Sequence, residues 1–292
     1  PRVEVFVVEA SSFRLARTCW FSPKVGTWLN FAPDHLDVHA DLASYEAAKA
    51  AIWTRLAVDG IAVANADDAV VMAHVPADRR VVTFGSEGDY RAIGGDLVGP
   101  DGPFLAVDRL WRGLPHDIED ALATAATVVA LGGRLDAVAE ACETFSGLSH
   151  RVELVGEVDG SRYYDDSKAT TPHATVAALA GFDGAVLIAG GRNKGIDLSA
   201  LAAGKPHVAA VVAIGEAAET VAQVFADSVP VERGADMDDA VERARRLAAG
   251  GRPVLLSPGC ASFDWYRNYG ERGDDFARAV AALGPTEGEE TR

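Results

Sequence analysis

The chain has 292 residues, of which 49% are hydrophobic and 24% are charged, a composition typical of a globular protein of about two domains. Its net charge of −16 argues against nucleic acid or an anionic membrane surface as a partner. Three scattered cysteines exclude a disulfide scaffold, and no apolar run reaches the ~18 residues of a membrane span. We therefore expect a cytoplasmic protein.

The first half of the chain alternates apolar strand patterns with helical ones, which predicts an α/β domain over residues 1–146. Short segments at 80–108 are broken by Gly and Pro and predict an antiparallel patch. In chain order, the patterns predict strands at Val3–Val8, 25–31 and 61–64, helices at 42–56, 118–131 and 135–145, and a short helix capped within Asn65–Asp68.

The segment Ser146–Ser149 predicts a boundary, after which a second domain covers residues 147–292. Its regular alternation of strand and helix predicts a Rossmann-like fold with right-handed crossovers and a mostly parallel sheet. The patterns predict strands at 152–164, 184–189, 208–214, 229–232 and 252–257, helices at 172–179, 216–226, 237–249 and 274–283, and a frayed tail at 285–292.

Three strands of this second domain run into loops rich in glycine, hydroxyl and charged residues. They read Tyr-Asp-Asp-Ser-Lys-Ala-Thr-Thr-Pro-His at 164–173, Gly-Gly-Arg-Asn-Lys-Gly at 190–195 and Ser-Pro-Gly-Cys-Ala-Ser-Phe-Asp at 257–264. Because the carboxyl ends of parallel strands lie along one edge of a sheet, the loops predict one binding site. Taken alone, the first loop also fits an ordinary polar loop in which Thr171 caps a helix beginning at Pro172. Cys260 fits a small buried residue better than a catalytic thiol.

These three motifs resemble, in their order, the Mur ligases of peptidoglycan synthesis, and most of all the members that add D-glutamate. The resemblance extends over nearly the whole chain, through four further segments at Glu9–Phe13, Asn30–Asp37, Tyr45–Lys49 and His150–Glu153. It implies a truncated central P-loop-type ATPase domain followed by the C-terminal domain. It also implies a ligase that uses ATP and Mg²⁺ to join D-glutamate to UDP-N-acetylmuramoyl-L-alanine through an acyl phosphate, and that acts as a monomer.

The resemblance assigns catalytic roles to Glu9, His35, Lys49 and Lys168. Glu9, His35 and a carbamylated Lys49 would form the metal side, where carbamylation turns the lysine amine into an anionic ligand. From the residues alone, two simpler interpretations stay open. His35 also fits a loop histidine bonded to Asp34 or Asp37, and Lys49 also fits an exposed partner of Glu46 one helical turn away.

Further positions match the family's nucleotide and glutamate sites. On the nucleotide side the matching residues are Arg151, Asp166 and Asp120, and around the incoming glutamate they are Thr170, Lys194, Ser262, Phe263 and Tyr269. A lysine and two hydroxyl groups suit a carboxylate ligand. The simpler alternatives are an ion pair of Arg151 with Glu153, a core position for Phe263, and a surface pair of Lys194 with Asp197.

The chain departs from the family pattern in two respects. It contains no Gly-x-x-x-x-Gly-Lys-Ser/Thr loop to bind ATP phosphates, and it begins at Pro1, so we expect a fragment without ligase turnover of its own. The family's His-Asn-x-x-Asn-Ala helix start reads His-Asp-Ile-Glu-Asp-Ala at 116–121, which adds negative charge near the expected nucleotide. A ligase that adds L-glutamate, or a non-catalytic remnant that binds glutamate or nucleotide, therefore stays open.

Overall fold

The computed structural model describes residues 4–36, 38–248 and 250–284. The chain divides into two compact units, Pro1–Phe145 and Ser146–Arg292, each with its own core. Both units combine helices with parallel strands, which confirms the predicted α/β class. No helix among the described residues has the length and apolar composition needed to cross a membrane.

The first unit contains five helices and six strands among its described residues. The helices are α1 (Ser12–Arg17), α2 (Leu42–Thr54), α3 (Ala69–Ala73), α4 (Pro115–Ala130) and α5 (Leu135–Thr144), and the strands are β1 (Val25–Trp28), β2 (Ile61–Asn65), β3 (Arg80–Phe84), β4 (Arg91–Ile93), β5 (Asp96–Gly99) and β6 (Gly102–Ala106). One sheet is parallel, with a strand order that follows the chain order, β1-β2-β3. A separate antiparallel sheet has the order β4-β5-β6.

Every residue of β2 is buried, because the sheet of this unit packs apolar side chains on both faces. Alternate residues of a strand point to opposite faces. Ala62 therefore joins a cluster with Trp28 of β1 and Trp53 of α2. Val63 joins a second cluster with Leu122 of α4. The two clusters hold α2 and α4 against opposite faces of the sheet.

Two predictions for this unit are wrong. The described part of the expected strand Val3–Val8 forms no strand, and Val7 is 98% exposed. A strand persists only where a neighbour takes up its backbone N–H and C=O groups, and no described strand pairs with this segment. Val3 itself lies outside the described residues. The segment 80–108 is also not one antiparallel patch, because β3 pairs in parallel with β2.

The second unit contains a six-stranded sheet in the order β11-β10-β9-β12-β8-β7. All neighbours are parallel except β7 and β8, and β12 lies between β8 and β9. The strands are β7 (Glu153–Val158), β8 (Ser161–Asp165), β9 (Ala185–Gly190), β10 (Val208–Ile214), β11 (Val231–Arg233) and β12 (Val254–Leu256), and the helices are α6 (Pro172–Leu179), α7 (Ala218–Phe225), α8 (Met237–Leu247) and α9 (Tyr269–Ala282), with a 3₁₀ helix at Leu198–His207.

Local signals explain where the second unit departs from prediction. The expected strand 152–164 is a hairpin, because Asp159 and Gly160 both have positive φ (53° and 76°) and reverse the chain between β7 and β8. Helix α9 begins at Tyr269, earlier than the predicted residue 274, because the Asn268 side chain accepts the backbone N–H of Glu271 at 2.9 Å. The predicted frayed tail 285–292 lies outside the described residues.

The core of the second unit places its polar loops at one edge of the sheet. Strands β9 and β12 are buried along their whole length, and α8 and α9 pack on one face through Val241 and Phe276. Because β8, β9 and β12 are parallel and their interior is filled by apolar side chains, the polar loops that follow them lie together at the carboxyl edge of the sheet.

Candidate functional site

Backbone hydrogen bonds join the three loops that follow β8, β9 and β12. Gly190 donates to the carbonyl of Pro258 at 2.8 Å, and Gly259 donates to the carbonyl of Ala169 at 2.9 Å. Farther out, Arg192 and Ala261 exchange two backbone hydrogen bonds, at 2.8 and 3.0 Å. The motifs that sequence predicted at separate strand ends therefore form one continuous loop cluster.

Two glycines permit this close approach. Gly190 and Gly191 have φ values of 130° and 127°, a conformation that side chains rarely adopt. A Cβ atom on Gly190 would lie 2.0 Å from the carbonyl oxygen of Ile214, and one on Gly191 would lie 2.4 Å from that of Ala261. Any other residue at either position would push the β9 loop away from its neighbours.

Asp166 is a buried carboxyl at the centre of the cluster. Its Oδ2 accepts the Ser257 hydroxyl at 2.7 Å, and its backbone N–H donates to Leu256 at 2.8 Å. Burial raises the pKa of Asp166 to about 7, against the lowering effects of the Ser257 hydrogen bond and the Arg151 charge. The carboxyl group therefore changes its charge near neutral pH.

His150 and Asp165 form a pair beside this carboxyl, with 2.7 Å between His150 Nδ1 and Asp165 Oδ2. Burial raises the pKa of Asp165, and the hydrogen bond to His150 opposes that shift. Glu153 Oε2 accepts the backbone N–H of His150 at 3.0 Å. Ligand atoms of all three side chains lie within 4.8 Å of one another. His150 is thus bonded to both carboxylates, through Nδ1 to Asp165 and through its backbone N–H to Glu153.

The backbone around Arg151 is unusual. His150 and Val152, on either side of it, have φ values of 62° and 49°, and a β-branched residue such as Val152 rarely adopts this conformation. Gly273 of α9 leaves space for the loop, because a Cβ atom there would lie 2.2 Å from His150 Nδ1. Arg151 therefore sits in a tight turn, and the neighbouring His150 lies against α9.

The residues matched to the glutamate site surround the loop cluster with different exposures. Phe263 is 56% exposed and Tyr269 is 38% exposed, so the alternative of a core position for Phe263 is wrong. Lys168 places its Nζ 5.4 Å from the centre of the Tyr269 ring, a cation–π contact. Ser262 is buried, whereas Thr170 and Lys194 are half-buried.

Lys194 does not form the surface pair with Asp197 that sequence left open. Asp197 caps the 3₁₀ helix instead and accepts the backbone N–H and the hydroxyl of Ser199 at 2.9 and 2.7 Å. Within residues 4–36, 38–248 and 250–284, no ion pair involves Lys194. Its ammonium group is therefore available to an anionic ligand.

Sequence reasoning missed Arg272, the largest fully buried side chain of the described protein, at 1% exposure. Its guanidinium group bonds Ser167 of the β8 loop and the carbonyl of Cys260 in the β12 loop. Arg272 shares one face of α9 with Phe276, Ala279 and Val280, all buried. An arginine on an otherwise apolar helical face was the signal available in the sequence.

Burial raises the pKa of the Cys260 thiol to about 12, which excludes a thiolate at neutral pH.

In the first unit, Lys49 is half-buried on α2. Its Nζ donates to the carbonyl of Asn30 at 3.2 Å and lies 5.6 Å from the centre of the Tyr45 ring. Burial lowers the pKa of Lys49, although the charges of Asp34 and Asp68 oppose the shift. Glu46 lies 2.6 Å from Nε2 of His74 rather than pairing with Lys49, so the exposed Glu46–Lys49 alternative does not describe this lysine.

His35 lies in the same region with a φ of 58°. Its backbone N–H donates to Asp34 at 2.6 Å, and its Nε2 lies 3.3 Å from the other oxygen of that carboxylate. The Asp34 contact is the one the simpler interpretation of His35 expected, whereas Asp37 lies outside the described residues. The His35 ring also contacts the Phe13 ring edge to face, with 4.7 Å between the ring centres. Glu9 is exposed.

The acidic helix start at 116–121 divides into two parts. Asp117 forms two 2.7 Å hydrogen bonds with Arg112 and accepts the backbone N–H of Leu114, so it caps α4. Asp120 is exposed. Burial raises the pKa of the neighbouring Glu119, and the charges of Asp67 and Asp120 raise it further. Of the two carboxylates that stand for amides, Asp117 caps α4, and Asp120 adds negative charge beside Glu119.

Comparisons with known proteins agree with this division of the chain. The family profiles described as Mur ligase middle domain and Mur ligase, glutamate ligase domain match residues 1–98 and 150–260. The UDP-N-acetylmuramoylalanine--D-glutamate ligase of Frankia casuarinae is 43% identical over 97% of this chain. The chain spans 62% of that relative's length.

Solved structures show the same fold at low sequence identity. A MurF structure from Acinetobacter baumannii has a TM-score of 0.68 at 17% identity, covering 91% of this chain and 62% of that one. The MurF ligase from Thermotoga maritima in complex with ADP has a TM-score of 0.62 at 19% identity, covering 90% and 64%. At these identities the likeness concerns the fold alone.

Proposed function

The chain belongs to the Mur ligase family, and from that premise we propose that it forms part of an ATP-dependent ligase joining D-glutamate to UDP-N-acetylmuramoyl-L-alanine. In this proposal residues 147–292 are the glutamate-binding domain, and 1–146 belong to the central ATPase domain. The observation that carries the proposal is the joined loop cluster at the carboxyl ends of β8, β9 and β12. The protein would work in the cytoplasm, as a monomer.

Charge and shape support glutamate as the ligand of this cluster. Glutamate carries two carboxylates, and the cluster presents two cations, Lys168 and Lys194. Hydrogen bonds between an ammonium group and a carboxylate are charge-assisted and therefore strong. The hydroxyls of Thr170 and Ser262 add neutral donors. The exposed rings of Phe263 and Tyr269 supply apolar surface for the methylene groups of the ligand.

The nucleotide side of the proposal rests, within the second unit, on Arg151 and Asp166. Arg151 offers a planar cation suited to phosphate, held between two residues of positive φ. The T. maritima relative is a complex with ADP, which supports ATP as the nucleotide used by a chain of this fold.

In this proposal Glu9, His35 and Lys49 would hold Mg²⁺, and Lys49 would do so only as a carbamate. An ammonium group repels a divalent cation, whereas a carbamate offers the hard oxygen ligands that Mg²⁺ prefers. The half-buried Lys49 amine loses its proton more readily than an exposed lysine, and only the neutral amine reacts with CO₂. The bound ion would screen phosphate charge.

Calorimetric titration of this chain tests the proposal, with D-glutamate, L-glutamate and ATP as separate ligands. We expect D-glutamate to bind and L-glutamate to bind at least about tenfold more weakly, since inversion at Cα misplaces one charged group. Equal affinity for the two enantiomers would favour the L-glutamate alternative or a remnant site. Absence of heat with either enantiomer, in a chain shown to be folded, would contradict the proposal.

A further inference from the structure

Arg272 of α9 connects two loops of the candidate site through three hydrogen bonds. Nε donates to the hydroxyl of Ser167 at 2.9 Å, and one terminal nitrogen donates to the carbonyl of the same residue at 2.7 Å. The other terminal nitrogen donates to the carbonyl of Cys260 at 3.1 Å. The Ser167 hydroxyl in turn donates to the carbonyl of Tyr269 at 2.7 Å. One guanidinium group therefore ties the β8 loop and the β12 loop to the start of α9.

The charge of Arg272 is buried without a carboxylate in contact. Within the described residues its three partners are neutral oxygens, and no ion pair includes it. Burial lowers the pKa of Arg272 to about 10, against the raising effects of the Asp264 and Asp165 charges nearby, so the group stays charged at neutral pH. Buried cations are rarely left without an anion, because removing a charge from water is costly.

The position of Arg272 explains why a cation would be kept there. Ser167 precedes Lys168 and Thr170 by one and three residues, and Cys260 precedes Ser262 by two. The guanidinium group is thus fixed behind the segments that carry the residues matched to glutamate. A buried charge in a region of low dielectric acts over longer distances than an exposed one.

We propose that Arg272 is a positioning residue that holds the β8 loop and the β12 loop in register for an anionic amino-acid ligand, whose charge offsets that of the guanidinium group. The inference rests on the proposed glutamate site and adds to it a group that sequence comparison with the family motifs did not assign. A purely structural arginine would stabilise the unit without favouring the bound ligand.

Three variants separate the two roles. Arg272→Lys keeps the charge but replaces a fork that reaches two loops by a single nitrogen that reaches one. Ser167→Ala removes one acceptor while the Arg272 side chain stays in place. Arg278→Lys is the matched control, because Arg278 lies on the same helix, is 53% exposed, and pairs with Asp238 and Asp275 away from both loops.

The experiment measures amide hydrogen exchange of the full chain and its affinity for D-glutamate by calorimetry. In Arg272→Lys we expect exchange at 166–170 and 258–262 to rise about tenfold or more while exchange in β10 is unchanged, and the dissociation constant for D-glutamate to rise about tenfold. Ser167→Ala should show the same pattern more weakly, and Arg278→Lys should match the unaltered chain.

The outcomes are distinct. Exchange that rises uniformly over the second unit, with unchanged affinity in the folded fraction, would make Arg272 a structural residue and overturn the proposal. If Arg272→Lys does not fold, Ser167→Ala decides by the same two measurements. If the unaltered chain binds no D-glutamate, the proposed function fails, and exchange confined to the two loops still tests whether Arg272 fixes them.

Discussion

Replacing Gly190 by alanine tests whether the loop cluster depends on close backbone contact. Gly190 ends β9 with a φ of 130°, and an added Cβ would lie 2.0 Å from the carbonyl oxygen of Ile214. That carbonyl accepts the N–H of Gly191 at 3.1 Å. Since the obstructing atom belongs to the backbone of β10, no side-chain rotation can relieve the overlap.

Gly195 supplies the matched control, because it lies in the same loop with a φ of 84° but has nothing within 4 Å of an added Cβ. Gly195→Ala therefore carries only the cost of positive φ, about 1–2 kcal/mol. Gly190→Ala adds overlap with packed backbone, about 1–3 kcal/mol, and weakens one or two backbone hydrogen bonds at about 1 kcal/mol each. We expect Gly190→Ala to cost about 3–7 kcal/mol.

Hydrogen exchange of β9 and β10, combined with urea unfolding, measures both costs in the second unit. A loss of about 3–7 kcal/mol would be a large part of the roughly 5–15 kcal/mol that stabilises a typical domain. D-glutamate binding should weaken in Gly190→Ala and remain in Gly195→Ala. Equal costs for the two variants would show that β9 and β10 do not approach as described, and the reasoning would be refuted.

Four further predictions concern residues of the candidate site, Lys49 and the division of the chain. Lys194→Ala should weaken D-glutamate binding about ten- to a hundredfold, because it removes a charge-assisted contact, and Thr170→Ala should weaken it less; calorimetry with ATP binding as the reference decides this. The pKa of Asp166 is about 7 in the folded state against 3.8 as its ordinary value, so the folded state holds a proton that the unfolded state releases between these pH values. Its contribution to stability is thus present at low pH and falls by up to about 4 kcal/mol as pH rises through this range; urea unfolding of Asp166→Asn should lack that fall. Mass spectrometry with ¹³C-bicarbonate should show a labelled carboxyl group at Lys49 that is absent from Lys49→Arg, and an unlabelled Lys49 would remove the proposed metal ligand. Residues 147–292 should unfold by themselves in one cooperative thermal transition, since they contain a complete sheet with its helices; a gradual transition would contradict this.

The parts of the fold that sequence predicted well are those with strong local signals. Helix α6 begins at Pro172 and ends at Leu179 as predicted, because Thr171 and Pro172 mark its start unambiguously. Buried strands such as β9 were visible as continuous apolar runs. The same apolar signal failed over the described residues 4–8 of the predicted strand Val3–Val8. An apolar segment shows that the residues favour a strand, but it does not show that a neighbouring strand is present to pair with them.

The candidate site was predictable as a set of loops but not as a set of contacts. Strand-end motifs indicated which segments belong together, because parallel strands present their carboxyl ends at one edge. Burial cannot be read from an amino-acid sequence, so neither the raised pKa of Asp166 nor the neutral hydrogen-bond partners of Arg272 could be predicted. Positive φ at Val152 was equally hidden, since no rule for β-branched residues favours that conformation.

The place of β12 in the sheet has a consequence for synthesis of the chain. Residues 254–256 form the last strand among the described residues, and they are synthesised after β8 and β9, yet they pair with both of these strands at the centre of the sheet. Until then, β8 and β9 each expose an unpaired edge, which is prone to aggregation. A chain that stops before residue 254 would keep most of its helices and lose both the middle of its sheet and the junction of its loops. Truncation at this point should therefore disrupt the site even though Lys168, Thr170 and Lys194 remain in the chain.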